Sequence, residues 1–236
     1  MKILKIEQGS QEWHEARRST ITGTKLNAVM GTLEAQTTQI AELIAEKGTE
    51  LTKEIQASAV MERGIAEEEF AVKKFEAETG QTVDRVGMCQ HEEWDWVKLS
   101  PDGLIKNKKG KYTEAVEIKC PDSKKLILSK IRNMVDPKET GLMGARGLKA
   151  GAPFLGIPSE YKWQVVHYFM VNPDLERLHF VTYDERFIDE GAKLYIVTVE
   201  REEKEMKTAI QEAVDELVKF RARWMEWEEL VLPSNF

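Results

Sequence analysis

Two short motifs, Ser100-Pro101-Asp102-Gly103 and, further along, Glu117-Ile118-Lys119-Cys120-Pro121, constrain this chain more than any other feature. A strand has a side-chain period of two, so a strand through the second motif turns Glu117 and Lys119 to one face and buries Ile118 on the other. Asp102 follows a strand-like stretch, 97–99, and Asn107-Lys108-Lys109-Gly110 reads as a turn folding the second strand back beside the first. One Asp, one Glu and one Lys are thereby expected at one spot.

Two convergent carboxylates suit a hard divalent cation such as magnesium, which takes oxygen ligands and leaves room for water or phosphate. A neighbouring lysine can hold or help deprotonate an attacking water. That is the donor set of metal-dependent phosphodiester hydrolysis. A bare spacing of this kind also fits a surface hairpin with an incidental Glu/Lys pair, so the rest of the chain has to decide.

At 236 residues, 42% of them hydrophobic, the chain suffices for one sizeable domain and leaves little room for two. Its two cysteines, Cys89 and Cys120, make no disulfide framework and no zinc spacing, which points to a reduced, cytoplasmic setting. The N-terminus lacks the apolar run of a signal peptide, and no stretch approaches the roughly 20 apolar residues of a membrane span. A soluble protein with no membrane partner is expected. A net charge of −7 weighs against nucleic acid, whose affinity comes from Lys and Arg. Much of the acid, however, lies in the helix-like segments 67–78 and 200–229, while 106–111 and 124–149 carry a basic excess. A basic cleft inside an acidic exterior is compatible with the sum.

Helices and strands alternate. Ser10 can cap a helix over 11–18 and Thr22 a second that carries Leu26 and Val29. Residues 33–57 are polar and weakly periodic. The pattern predicts a helix over 59–79 stopped by Gly80, strands at 82–88, 94–99 and 115–118, a helix over 124–134, a strand at 178–183 and one or two amphipathic helices over 189–227. A connection punctuated by Gly141, Gly144, Gly147, Gly151 and Gly156 has the length of a functional or disordered loop. Tyr161, Gln164, Val165, Tyr168 and Phe169 share a helix face, which sets Gln164 into an apolar stripe.

The order of motifs resembles the phage lambda-exonuclease group, the YqaJ-like viral recombinases, within the PD-(D/E)xK nuclease superfamily. The resemblance begins at Trp13-His14-Glu15-Ala16-Arg17 and Ile21-Thr22-Gly23-Thr24 and continues through Arg63-Gly64 with Glu68. It takes in both opening motifs, then Tyr161 with Gln164, Tyr183-Asp184 and Glu200-Arg201-Glu202-Glu203. It implies an α/β (α+β) fold with a restriction-endonuclease-like core, a central mixed β-sheet flanked by helices. The whole chain, 1–236, would be one nuclease domain. Its core would span about 59–183, between N-terminal helices forming a 5′-phosphate pocket and C-terminal helices.

Residue by residue, the resemblance implies that Asp102 and Glu117 hold magnesium, with the Ile118 carbonyl as an extra ligand and Glu68 as an additional acid. Two ions are expected, and manganese can substitute. Lys119 would position the attacking water, and Gln164 would hydrogen-bond near the scissile phosphate. Arg17 would grip the 5′-phosphate with Thr22, Thr24 and Ser100, Arg18 being the neighbour if the register slips by one. Thr24 stands where the family usually has serine. Arg17 read alone is equally a helix-terminal arginine facing the dipole, and Trp13 reads as packing rather than a stacking platform.

The implied activity is a magnesium-dependent 5′-to-3′ exonuclease on linear double-stranded DNA with a 5′-phosphate end, leaving 3′ overhangs. The implied partners are two further copies in a toroidal homotrimer and a single-strand annealing protein, in the cytoplasm of a bacterial host cell, encoded by a phage or prophage. A restriction- or repair-type endonuclease would keep the triad without needing the Arg17 pocket. A non-catalytic DNA-binding protein would not need Asp102, Glu117 and Lys119 together.

Overall fold

Side-chain alternation along one strand organises the molecule. The computed structural model describes residues 1–50, 59–135 and 154–232. In it, β5 (Tyr112–Lys119) sends Val116 and Ile118 into a cluster with Ala71, Val72 and Phe75 of α4 (Ala59–Thr79). Ala115 joins the larger cluster with Val165 and Phe169 of α6 (Lys162–Val171) on the other face. Such a strand, covered on both faces, has its core positions buried throughout.

β5 lies second in a four-stranded mixed sheet of order β4-β5-β6-β7. β4 (Gly103–Lys106) is antiparallel to it, β6 (Arg177–Tyr183) parallel, and β7 (Leu194–Glu200) antiparallel to β6. The parallel step needs a long crossover, and it contains α5 (Ser123–Met134) and α6. A second, antiparallel sheet joins β1 (Lys2–Leu4), β2 (Met88–Gln90) and β3 (Lys98–Leu99). At the N-terminus α1 (Gln11–Arg17) and α2 (Gly23–Val29) precede α3 (Leu33–Gly48), and α7 (Lys204–Val231) closes the described chain. The expected α/β architecture, a mixed sheet flanked by helices, is therefore present. Among the described residues no helix is long and apolar enough to cross a membrane.

Several local signals act as expected. The Ser10 hydroxyl accepts the Trp13 N–H at 3.1 Å and starts α1. Gly80, at φ +68°, ends α4 in the left-handed conformation that glycine adopts without a Cβ penalty. Gly103 is required for another reason: a Cβ there would lie 2.1 Å from Val83 Cγ1, so the chain could not pass from Asp102 into β4.

Other expectations are corrected. The partner of β5 across the Asn107–Gly110 turn is β4, not 97–99, which belongs to the other sheet. Residues 82–88 form only an Asp84–Leu104 bridge before β2, and 94–99 contributes β3 and a Val97–Ile21 bridge, because Trp94 and the residues after it form a turn. Residues 33–48 are a helix, α3, capped by Thr32. Its buried face mixes Gln36 and Gln39 with Ile40, Leu43 and Ile44, which blurs the apolar period. Gln36 is satisfied there by Val29 O, Glu216 and Arg223. The segment 189–227 is not helical throughout: Leu-Tyr-Ile-Val-Thr-Val forms β7, where β-branched side chains pack against β6.

Candidate active site

Asp102 occupies the crossing from β3 to β4, the point where the chain leaves one sheet for the other. Its Oδ2 accepts the Ile118 N–H at 2.7 Å, which ties the loop to the middle of β5. The alternation places Glu117 on the α6 side, 1% exposed, while Ile118 fills the α4 side. Lys119 Nζ lies 2.5 Å from Glu117 Oε1 and 5.1 Å from the Tyr161 ring centroid. The three predicted residues do converge.

Glu117 is a buried carboxylate, a group costly to bury unless donors surround it. Gln164 Nε2 donates to Oε1 at 2.6 Å and the Tyr168 hydroxyl donates to Oε2 at 2.6 Å. The Tyr168 hydroxyl oxygen also accepts the Asp102 N–H at 3.2 Å, so one phenol joins both carboxylate residues. Tyr168 was read from sequence only as part of an apolar helix face. Its position one turn after Gln164 is the signal that could have found it.

Burial, followed by the Glu117 charge, raises the Asp102 pKa well above the ordinary aspartate value. Burial works against the Lys119 ammonium, but Glu117 and Asp102 outweigh it and hold the lysine charged. Burial likewise keeps Tyr168 protonated, the state in which it can donate to Glu117.

Glu68 approaches by another route. On α4, it pairs with Arg85 Nη2, and Arg85 Nη1 donates to the Asp102 carbonyl at 2.8 Å. Glu68 is thus coupled to Asp102 through an arginine. Among the described residues no group of three or more His, Cys, Asp or Glu side chains is drawn together closely enough to cage an ion.

The N-terminal residues build a neighbouring hydrogen-bonded cluster. Arg17 Nη1 donates to Ser100 Oγ at 2.9 Å, and Trp13 Nε1 donates to Ser100 Oγ at 3.0 Å and to Gly87 O at 3.1 Å. The Arg17 guanidinium lies 4.3 Å from the Trp13 ring centroid, so Trp13 is a packing platform for the arginine. Burial lowers the Arg17 pKa, with Glu46 opposing, and leaves it charged at neutral pH. Thr22 and Thr24 hydroxyls lie 3.3 Å apart at the start of α2 and bond to neither Arg17 nor Ser100. They adjoin the other site, since a Cβ on Gly23 would stand 3.0 Å from Gln164 Cγ. Arg18 turns away to the Glu46 and Thr49 carbonyls. Arg146, Lys149 and the glycines from 141 to 151 lie outside the described residues.

Residues 12–173 match the YqaJ-like viral recombinase domain, more than half of the chain. The chain belongs to this family. Among solved structures, LHK-Exo, an alkaline exonuclease from Laribacter hongkongensis, crystallised with dAMP, is 26% identical with a TM-score of 0.72, covering 94% of this chain and 96% of that one. A second LHK-Exo structure is 24% identical at TM-score 0.67, with 94% and 98% covered. A phage-related exonuclease from Haemophilus somnus 129PT shares the fold at 13% identity and TM-score 0.54, with 88% and 95% covered. Comparison with curated protein sequences finds no match.

The donor set in this YqaJ-like chain fits a divalent cation. Two carboxylates share one ammonium, and burial and then the Glu117 charge raise the Asp102 pKa, so a cation between them would relieve their repulsion. The ligands on offer are oxygen, as magnesium and manganese prefer.

Proposed function

We propose that this protein is a metal-dependent 5′-to-3′ exonuclease that removes mononucleotides from the 5′-terminated strand of linear duplex DNA. The observation that carries the proposal is the adjacency of two differently equipped centres. The Asp102–Glu117–Lys119–Gln164 group is suited to hydrolysis, and the Arg17–Ser100 pocket is suited to a terminal phosphate.

In this reading Asp102, Glu117 and the Ile118 carbonyl hold one or two magnesium ions, with Glu68 assisting once Arg85 releases it. The bound metal supplies Lewis acidity toward the phosphate and acidifies a water. Lys119, kept protonated by Glu117 and Asp102, donates to the attacking water or a phosphate oxygen and fixes its line of approach. Gln164 orients Glu117 through Nε2 and offers its carbonyl as an acceptor to the attacking water. Tyr168 locks the spacing of the two carboxylate residues. Attack at phosphorus breaks its bond to the 3′ oxygen of the terminal nucleotide, releasing a 5′-mononucleotide and a new 5′-phosphate end. Arg17, charged and stacked on Trp13, receives that end, aided by Ser100, Thr22 and Thr24.

The reading extends to a nuclease domain that spans the chain and to a ring of three copies, which confines the basic surface to a channel and so reconciles DNA binding with net charge −7. It also extends to a single-strand annealing protein as partner in the bacterial cytoplasm. The deciding experiment compares linear duplexes bearing 5′-phosphate or 5′-hydroxyl ends with closed circular DNA, in magnesium and in chelator. Metal-dependent release of mononucleotides from the phosphorylated linear duplex, slower release from the hydroxyl form and none from the circle are expected. Nicking of the circle would make the protein an endonuclease instead.

A further inference from the structure

A cleft of about 320 Å³ opens where α7 meets the Ser19-Thr20 turn and the segment leading into β3. None of its lining residues belongs to the candidate active site. Its most distinctive group is Arg221. The guanidinium lies 4.2 Å from the Trp224 ring centroid and 5.2 Å from that of Trp96, so two indoles restrict its position. Among the described residues Arg221 has no hydrogen-bond or ion-pair partner, only the more distant charges of Glu228 and Asp95. An oriented guanidinium with its N–H edge unused is a fork awaiting an oxyanion.

A second cation faces the same cleft. Lys98 Nζ donates once, to the Ala16 carbonyl at 2.8 Å, and an ammonium has three protons to give. Of the two acids in the lining, Glu228 is neutralised by Lys47, which leaves Asp95 against Arg221 and Lys98. The local balance is positive in a protein of net charge −7. Trp224, which lines the cleft with its ring, keeps its indole N–H buried behind that wall.

We propose that this cleft is a binding site for a compact phosphate, inorganic phosphate or a small phosphate monoester, gripped by the Arg221 fork and the Lys98 ammonium. A phosphate offers more acceptor oxygens and, as a dianion, more charge than a carboxylate to these unused donors. An extended nucleic acid strand fits less well, because the nearby aromatic faces are already used. His91 stacks on Trp94 at 4.9 Å, Trp94 on Trp96 at 5.5 Å, and Arg221 covers Trp96. The exposed Glu92 and Glu93 would further repel a polyanion. The proposal is independent of the nuclease reading.

Indole N–H resonances of the full-length protein provide the test, because Trp13 reports on the Arg17 pocket while Trp96 and Trp224 report on the cleft. Trp→Phe variants assign the signals, and inorganic phosphate is titrated at constant ionic strength. Saturable shifts of Trp96 and Trp224 are expected, with Arg221→Gln weakening the affinity at least about tenfold. Arg221→Lys, which keeps the charge and the stem but loses the fork, should weaken it at least about threefold and serves if the glutamine variant does not fold. Shifts confined to Trp13, identical shifts with acetate, or unchanged affinity in a folded Arg221 variant would each overturn the assignment.

Discussion

The Glu117 centre and the Arg17 pocket meet at Ser100-Pro101-Asp102, yet they are held by different means. Glu117 sits within a strand paired on both sides, with three side-chain donors on one carboxylate. Arg17 ends a helix of seven residues that buries none of its own side chains, and it is located by one hydroxyl and one indole. A buried charge demands a rigid, fully satisfied surround, because an unpaired donor or acceptor there costs about 1–3 kcal/mol. A half-buried cluster in which the charge is not enclosed can rest on fewer restraints. The contrast teaches that the Glu117 centre is preorganised by the fold, whereas the Arg17 cluster, the proposed end-recognition site, is preorganised only locally.

The largest test of that contrast is Lys119→Ala. It removes the one ammonium beside Glu117 while leaving the oxygen ligands, and turnover of linear duplex should fall by about 10³-fold or more with DNA binding retained in a gel-shift assay. Normal turnover would remove Lys119 from the chemistry. Tyr168→Phe comes next. It takes one donor from Glu117 Oε2 and frees the Asp102 N–H, so denaturant unfolding should show a loss of about 1–3 kcal/mol and activity should drop by about 10- to 100-fold. An unchanged midpoint would mean that the phenol does not tie the centre together.

Arg17→Gln should act on the other region alone. The preference for 5′-phosphate over 5′-hydroxyl ends should shrink by about tenfold, while stability changes by less than about 1 kcal/mol, since α1 contributes no buried side chain. A lost preference accompanied by general unfolding would erase the distinction between the two regions. The smallest effect concerns Asp102. Its folded-state pKa is raised, so the folded protein binds a proton more tightly than the unfolded chain. Metal-free stability should therefore fall as pH climbs from the ordinary aspartate value toward the shifted one. In chelator at neutral pH, Asp102→Asn should raise stability by about 1 kcal/mol, roughly 2–4 °C in Tm. Magnesium should stabilise the parent protein and not this variant in a thermal melt.

The site was legible to the extent that its residues follow one strand or one helix. Glu117 and Lys119 share a face because the strand period is two, and Gln164 falls on the helix face that the apolar residues mark. Tyr168 was hidden because a tyrosine in an apolar stripe looks the same whether its hydroxyl is idle or bridges two carboxylate residues. Glu68 is an acid near the site by the family resemblance, but its pairing with Arg85 depends on how the segment between α4 and β2 folds back beside Asp102. β7 is masked by charged helical neighbours, and α3 by Gln36 and Gln39 at buried positions, made tolerable by the Val29 carbonyl, Glu216 and Arg223 for the first and by Glu42 for the second.

By itself the sequence determined the local elements that carry the chemistry: the helix capped by Ser10, the stop at Gly80, the alternation through Glu117 and the helix that presents Gln164. These follow from nearest-neighbour sterics and periodicity, which act over a few residues. Tertiary structure alone decided that β4 rather than residues 97–99 pairs with β5, that Ser100 receives Arg17, and that Arg221 lies against two indoles with no hydrogen-bond partner among the described residues. Each of those outcomes depends on groups far apart in the chain being brought together by burial, and no local pattern encodes which distant donor a buried acceptor will meet.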